Sequence, residues 1–359
     1  MGTDAKTRKL IVWEPDGHGH RCMYVRFIAQ FAKVNDIPFE IQTTHIARAR
    51  TEWQVNGLDA YPYRISESPS ELVHAISSDT QHETQIIVPD ADRWLLKLLC
   101  QWKSLRSIPM SLLIMRPMAG TSFSSKVNYL AKLTLISVVL STFRRVTIFA
   151  LTNPGMRLTS PYMALGIQSL FDPVEWNPRM DRSELGLESD QLGKTIFLVA
   201  GELSERKYIS EIIQAWDTVQ PENSLLVLVG SVAPKLVLEL NTVILDSNSI
   251  LCVDDYVSND VFDSWISVAD FIFILHRNSG SSGVALKAAL SQSVVICGGN
   301  KSHIRSVQST SPRCITLKHV SKESICNLLN TNTPVIQFRD ANSGAIDAQS
   351  WAKLICRMR

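Results

Sequence analysis

Three short stretches hold residues whose types and spacing could do chemistry. The first is EPDGHGHRCMYV, Glu14 to Val25, where Gly17, His18, Gly19 and His20 sit on one loop between an apolar run and a helical pattern. Free N–H groups at such a helix start suit an anion or a sugar hydroxyl. The histidines could ligate a metal, touch a substrate or simply face water. A dinucleotide fingerprint wants a third glycine where Cys22 stands. It also wants an acid at the end of the second strand, where Thr43, Thr44 and His45 stand. No carboxylate or third ligand lies at a convincing metal spacing, so neither NAD nor a metal is expected here.

The second stretch is GELSERKY, Gly201 to Tyr208, between the apolar TIFLVA and a helix that buries Ile209, Ile212, Ile213 and Trp216. The pair Arg206 and Lys207 opposes the positive end of that helix, and a bound diphosphate reverses the cost. A solvated turn beside Glu202 and Glu205 is the alternative. The third stretch is LHRNSGSSGVALKAAL, Leu275 to Leu290. Asn278, Ser279, Gly280, Ser281, Ser282 and Gly283 run straight into a helix. Such a run offers hydroxyls and backbone N–H donors to a phosphate or a sugar, although a flexible loop would share the composition.

These loops need strands behind them. Apolar runs at 9–13, 39–44, 84–89, 110–115, 145–151 and 167–171 alternate with helical patterns, and the alternation restarts at 195–201, 224–230, 249–255, 270–275 and 294–299. Continuous apolar strands between helices predict parallel sheets covered on both faces. The fold class is therefore α/β, with two Rossmann-like, doubly wound domains facing a cleft. The boundaries read as 1–175 for the first domain, 176–193 for a Pro- and charge-rich linker with a short helix, and 194–335 for the second domain, with 336–359 a closing segment and helix. Ligands of such sheets bind at the carboxyl ends of strands, and a cleft between two such domains is the default site.

A chain of 359 residues is long for one core. Its 36 basic and 34 acidic residues leave a net charge of only +2, which argues against a nucleic-acid binder. Seven scattered cysteines without a CxxC pair fit a reducing compartment. The polar start MGTDAKTRK carries no signal peptide, and the apolar stretch 130–143 is too short to cross a bilayer. The expected location is the cytoplasm. Over 101–145, basic residues surround apolar ones, a mix that suits peripheral contact with an anionic membrane as well as packing on the sheet.

In order and spacing, RSELGL, TIFLVAGELSERKYISEIIQAW, SLLVLVGS, LCVDDYVSNDVFDSWISVADFIFIL and SGSSGVALKAALSQSVVICGG resemble the C-terminal half of GT-B glycosyltransferases of the family 4 type. The likeness covers about 172–300; the N-terminal half is similar in layout only. It implies transfer of a sugar from a nucleotide-sugar donor to a glycan or lipid-linked acceptor hydroxyl, retaining, with no metal and no cofactor beyond the donor itself. It places Lys207 on the donor diphosphate, with Arg206 beside it, and the 278–283 loop on the donor. The arginine that often follows the family's glycine is here Glu202, and the usual two donor-site glutamates are Ser279 and Lys287. Lysine cannot accept hydrogen bonds from a ribose. Lys287 would meet a phosphate, or be an exposed helix lysine. On the N-terminal side the likeness puts Gly17, His18, Gly19 and His20 near donor and acceptor. It makes Asp90 and Arg116, both at strand ends, candidates for a base or hydroxyl positioner and for charge stabilisation. For Asp90 the plainer reading is a helix cap. An inactive relative that partners a transferase, or a nucleotide-sugar epimerase, are the alternative functions.

Overall fold

The computed structural model describes residues 7–18, 20–79, 81–115, 117, 123–152, 158, 160–238, 240, 247–254, 257–277, 283–291, 293–311, 313–331, 337–338 and 347–356. They form two compact units. One comprises Met1–Thr152, Arg157–Pro173 and Ile346–Arg359; the other comprises Asn153–Met156 and Val174–Ala345.

The first unit is built on strands β1 (Thr7–Glu14), β2 (Phe39–Thr43), β3 (Tyr63–Ile65), β4 (His82–Val88), β5 (Met110–Ile114), β6 (Val146–Thr152) and β7 (Gln168–Phe171). They pair in the order β3-β2-β1-β4-β5-β6-β7, and every pairing is parallel. Side chains of a strand alternate between faces. Ile11 and Trp13 accordingly enter one core with Ile86, Val88, Leu112 and Ile114. Leu10 and Val12 enter the other with Ile87 and Leu113. The His20–Val34 helix buries an unusually broad face because two layers cover it. Beyond the sheet, Trp351 of the Ala348–Ile355 helix stacks on Tyr24 at 5.1 Å and meets Phe27 edge-on at 6.4 Å. The closing helix thus completes the first unit's core.

The Phe123–Thr142 helix divides its apolar residues. Ile136 and Val139 are buried under it, while Leu130 is 62% exposed and Val127 and Val138 are also open to solvent. Leu96, 63% exposed, and Trp102 lie on the preceding short helices with Lys97 and Lys103, and Lys126 lies on the Phe123–Thr142 helix. Lys132 is tied down instead, at 2.7 Å from Asp92. Among the described residues no helix is long and apolar enough to cross a membrane.

The second unit repeats the plan with β8 (Thr195–Ala200), β9 (Ser224–Val229), β10 (Ile250–Val253), β11 (Phe271–His276), β12 (Val294–Gly299), β13 (Arg313–Leu317) and β14 (Gln337–Phe338). The order is β10-β9-β8-β11-β12-β13-β14; six strands are parallel, and the edge strand β14 runs antiparallel to β13. The segment 176–193 forms turns such as Leu185 N to Asp181 O rather than the expected short helix. It packs on the second unit: Trp176, Leu185, Leu187 and Leu192 join its core, and Arg182 donates to the carbonyls of Leu192, Lys194 and Val268.

In both sheets the chain winds outward in one direction, returns to the centre and winds the other way. The switch falls between β1 and β4 in the first unit and between β8 and β11 in the second. Loops leaving the carboxyl ends of such a strand pair part from each other and open a crevice for ligands. All three chemistry-bearing stretches, and Asp90, follow one of these four strands.

Candidate functional site

In the second unit β8 delivers Gly201 in a left-handed conformation, φ 84°. A Cβ built there would lie 3.0 Å from Lys207 Nζ, 3.8 Å from Val284 and 4.0 Å from Phe262. The glycine therefore keeps open a small space bordered by the lysine, by the first turn of the Gly283–Leu290 helix and by the Asn259–Val268 helix. Two candidate stretches about 80 residues apart meet here. Lys207 is only 7% exposed, and its Nζ donates to the Ala200 carbonyl at 2.5 Å. No carboxylate among the described residues forms an ion pair with it. Burial pulls its pKa down to about 7; Arg206 adds to that, and Glu202 opposes it weakly.

Arg206 differs from its neighbour. Its guanidinium is exposed and pairs with Glu202 at 2.8 Å, while its carbonyl accepts from Arg277 N at 2.8 Å. Arg277 also donates from Nε to the Glu205 carbonyl at 3.0 Å, lies 4.1 Å over the Tyr208 ring and pairs with Glu211. Tyr208 itself is left-handed, φ 59°. The turn that aims Lys207 inward is thus braced from outside by Arg277. Glu205, Arg206, Ser210, Glu211, Gln214 and Arg277 line an open depression of about 660 Å³ on that outer side.

His276 ends β11 and packs against His303, ring centroids 4.4 Å apart. Burial, then His303, Lys207 and Arg206, hold the His276 imidazole neutral, with a pKa lowered to about 2. The neutral His276 imidazole therefore stands beside the lysine without adding charge, with the buried His303 ring behind it.

Lys287 is not an exposed helix lysine. Its side chain is 13% exposed and pairs with Asp263, which is 1% exposed, beside the Phe262 ring. Asp263 also accepts from Asn177 N at 2.9 Å. Burial raises the Asp263 pKa, and Lys287 opposes that rise. Asn278, Ser279, Gly280, Ser281 and Ser282 lie outside the described residues, as do Gly19 and Arg116. Asp254 accepts from Val232 N at 2.8 Å and so anchors a neighbouring loop.

The first unit assembles an ionic cluster at the ends of β1 and β4. Glu14, fully buried, accepts from the backbone N–H of Asp16 at 3.0 Å and of Gly17 at 2.8 Å. Burial pushes its carboxyl up to about 7 against those two bonds and Arg21. Asp16 Oδ2 takes Arg21 and Arg93, each at 2.5 Å, and the Asp16 carbonyl takes Arg50 Nε at 2.8 Å. Burial alone would raise the Asp16 pKa; Arg21 and Arg93 outweigh it and hold it below the ordinary range. Arg21 then bridges to Asp90 at 2.9 Å. Asp90 precedes the short Ala91–Arg93 turn but makes no side-chain cap there, so its described role is as the buried partner of Arg21.

Gly17, φ 67°, has a local reason to be glycine: a Cβ would lie 2.7 Å from the Ala47 carbonyl. Thr43 and Thr44, where a dinucleotide site would want an acid, donate to the carbonyls of Glu14 and Pro15, each at 2.8 Å. Cys22 is buried and donates to the Gly17 carbonyl at 3.4 Å. His18 is 51% exposed, 3.4 Å from Glu52. His20 opens the His20–Val34 helix. Among the described residues no group of three or more His, Cys, Asp or Glu side chains is placed to hold a metal.

Glu14, Asp16, Arg21 and Arg93 were missed by the sequence reading. A signal existed: an acid closing an apolar strand is a poor choice unless something inside receives it. The Asp263–Lys287 pair was hinted at by a carboxylate on the apolar side of an amphipathic helix.

No protein-family profile matches the chain, and no curated protein sequence matches it. Solved structures do. HepE of Anabaena, determined with UDP and glucose, is 12% identical, with a TM-score of 0.65 over 97% of this chain and 94% of that one. The UDP-forming α,α-trehalose-phosphate synthase of Burkholderia xenovorans, determined with glucose-6-phosphate, is 10% identical, with a TM-score of 0.58 over 96% and 95%. A Rickettsia africae glycosyltransferase is 11% identical, with a TM-score of 0.62 over 98% and 93%. At these identities the likeness is one of fold, and it establishes that the chain has the GT-B fold.

Proposed function

We propose that this protein is a glycosyltransferase that moves a sugar from a nucleotide-sugar donor to an acceptor hydroxyl. One observation carries the reading: Lys207, buried and without a carboxylate partner among the described residues, meets the start of the Gly283–Leu290 helix across Gly201 at the β8/β11 switch point. An amine and a helix N-terminus aimed at one small space form an anion site, and a diphosphate is the anion a nucleotide sugar brings. HepE and the trehalose-phosphate synthase, which share the fold, are described with UDP, with glucose or glucose-6-phosphate, and as UDP-forming.

In this reading Lys207 stabilises the leaving diphosphate as charge develops on it, in a place closed to water, where such contacts count most. Arg206 swings from Glu202 to the phosphate. The 278–283 loop supplies further donors. The charge is carried by amine, guanidinium and helix end, without a metal, and the likeness to family 4 favours retention at the sugar carbon. In the first unit His20 and Arg116 meet donor and acceptor. Asp90 acts through Arg21, holding the Gly17–His20 loop in place. The acceptor is a glycan or lipid-linked hydroxyl. Leu96, Trp102, Val127, Leu130 and the lysines among them suit peripheral contact with an anionic membrane that would present it.

The test is to incubate the protein with a panel of nucleotide sugars and acceptor extracts. Donor breakdown should release nucleoside diphosphate, and Lys207→Ala should abolish the release. Release unchanged in Lys207→Ala contradicts the assignment. Binding without release points to an inactive relative, and interconversion of the sugar without release points to an epimerase.

A further inference from the structure

The chemistry around Lys207 has a consequence for how an anion enters. The groups that face the amine can be named from each element packed on it. At the end of β8 they are the Ala200 carbonyl and Gly201. The following turn brings Arg206 and, at its outer edge, Glu202, which is already paired with Arg206. β11 brings His276, backed by His303 of the Lys301–Thr310 helix. The Asn259–Val268 helix brings the uncharged ring of Phe262, behind which Asp263 and Lys287 neutralise each other. Among the described residues the amine is therefore bordered by a carbonyl, the His276 imidazole, a guanidinium and, across Gly201, an aromatic ring.

A charged ammonium there, 7% exposed and without an ion-paired carboxylate among the described residues, has lost its water and gained no counter-ion, so the neutral amine is favoured. The lowered pKa of about 7 agrees with this geometry. A diphosphate arriving over Gly201 supplies the missing counter-ion, and the charged form becomes the favoured one.

We propose that Lys207 waits as the neutral amine in the empty protein and takes a proton from solvent when a nucleoside diphosphate binds, so that the site binds diphosphate and proton together. This rests on the diphosphate reading of the site. The sign of the linkage is fixed: binding raises the lysine's affinity for its proton, so protons favour binding. Affinity is level below the pKa of the empty site and weakens as pH rises above it. The free diphosphate carries more charge than the same group esterified to a sugar. The effect is accordingly larger for the product nucleotide than for the donor, and high pH favours product release.

The experiment is isothermal titration calorimetry of the full chain with UDP, GDP and ADP at pH 8, in two buffers of different ionisation enthalpy. At that pH a phosphate with a second pKa of about 6 is already ionised. A lysine titrating at about 7 is then mostly neutral, so binding should take up ~0.9 proton per nucleotide. The dissociation constant should rise roughly tenfold per pH unit above the lysine's pKa. Lys207→Arg, which cannot be neutral, should bind with no proton uptake and a flat profile. Nucleotide binding without proton uptake in the wild type overturns the inference and leaves the diphosphate site standing. Uptake that persists in Lys207→Arg moves the proton to another group, such as His276, and also overturns it. If Lys207→Arg does not fold, the wild-type proton count decides alone. If none of the three nucleotides binds, the diphosphate reading itself fails.

Discussion

Lys207 and Lys287 lie in the same unit, and both are largely buried. Lys287 has a buried aspartate as its partner; Lys207 has a carbonyl. The difference separates a scaffold from a site. A buried pair that satisfies itself holds two helices together and has little charge left to offer. A buried amine without a counter-ion is a cost that the fold tolerates, and a site for an anionic ligand is one place where such a cost is useful.

Substitutions sharpen that contrast. The largest effect is expected for Lys207→Ala on turnover, a loss of about 100- to 1000-fold, since a donor aimed at developing charge is removed. Steady-state release of nucleoside diphosphate checks it. The next is Lys287→Ala, which strands Asp263 in the core and should cost about 3–5 kcal/mol in denaturant unfolding of the second unit. The double change Asp263→Leu with Lys287→Met should recover most of that loss, because no charge is left unpaired. A double variant as unstable as the single one would contradict the account of the pair.

Lys207→Met should do the reverse in the ligand-free protein and stabilise it by on the order of 1–3 kcal/mol. The pH dependence follows from the lowered pKa. Between about 7 and the ordinary lysine value of about 10.4 the unfolded chain holds more protons at this site than the folded one, so stability gained from this group rises with pH. Lys207→Met should remove that slope, read from melting temperatures across the window. A slope identical in the variant would assign it elsewhere.

Much of the fold was legible. Eleven apolar runs spaced by helical patterns correspond to strands, because strands covered on both faces must be continuously apolar. Tyr63–Ile65, Arg313–Leu317 and Gln337–Phe338 were not legible: the first and last are short edge strands, and Arg313–Leu317 is a five-residue strand that opens on a charged residue. The site was legible only in part. Lys207 stood out because a basic pair at a helix start opposes the helix dipole. Lys287 looked equally available because its partner lies 24 positions away on another helix. In the first unit the glycines and histidines drew attention, whereas the loop is held by Glu14, Asp16 and Arg21, three residues within the same dozen. Charges that pair across a loop are visible in sequence only as charges.

That cluster supplies a smaller test. Arg21→Met removes a buried guanidinium that bridges Asp16 and Asp90, and should lower the melting temperature of the first unit. His18→Ala, exposed beside Glu52, should change stability by less than about 0.5 kcal/mol. His20→Ala should lower turnover without unfolding the chain; unchanged turnover would leave the loop as scaffold.

The central claim is that the β8/β11 crevice is a nucleoside-diphosphate site built on Lys207. The direct measurement is a thermal-shift screen of wild type and Lys207→Ala against nucleotides and nucleotide sugars. A ligand at 100 times its dissociation constant stabilises by about 2.7 kcal/mol. At least one nucleoside diphosphate should therefore raise the wild-type melting temperature by a few degrees, and the same nucleotide should leave Lys207→Ala unmoved. A panel that shifts neither protein, or shifts both equally, would contradict the claim.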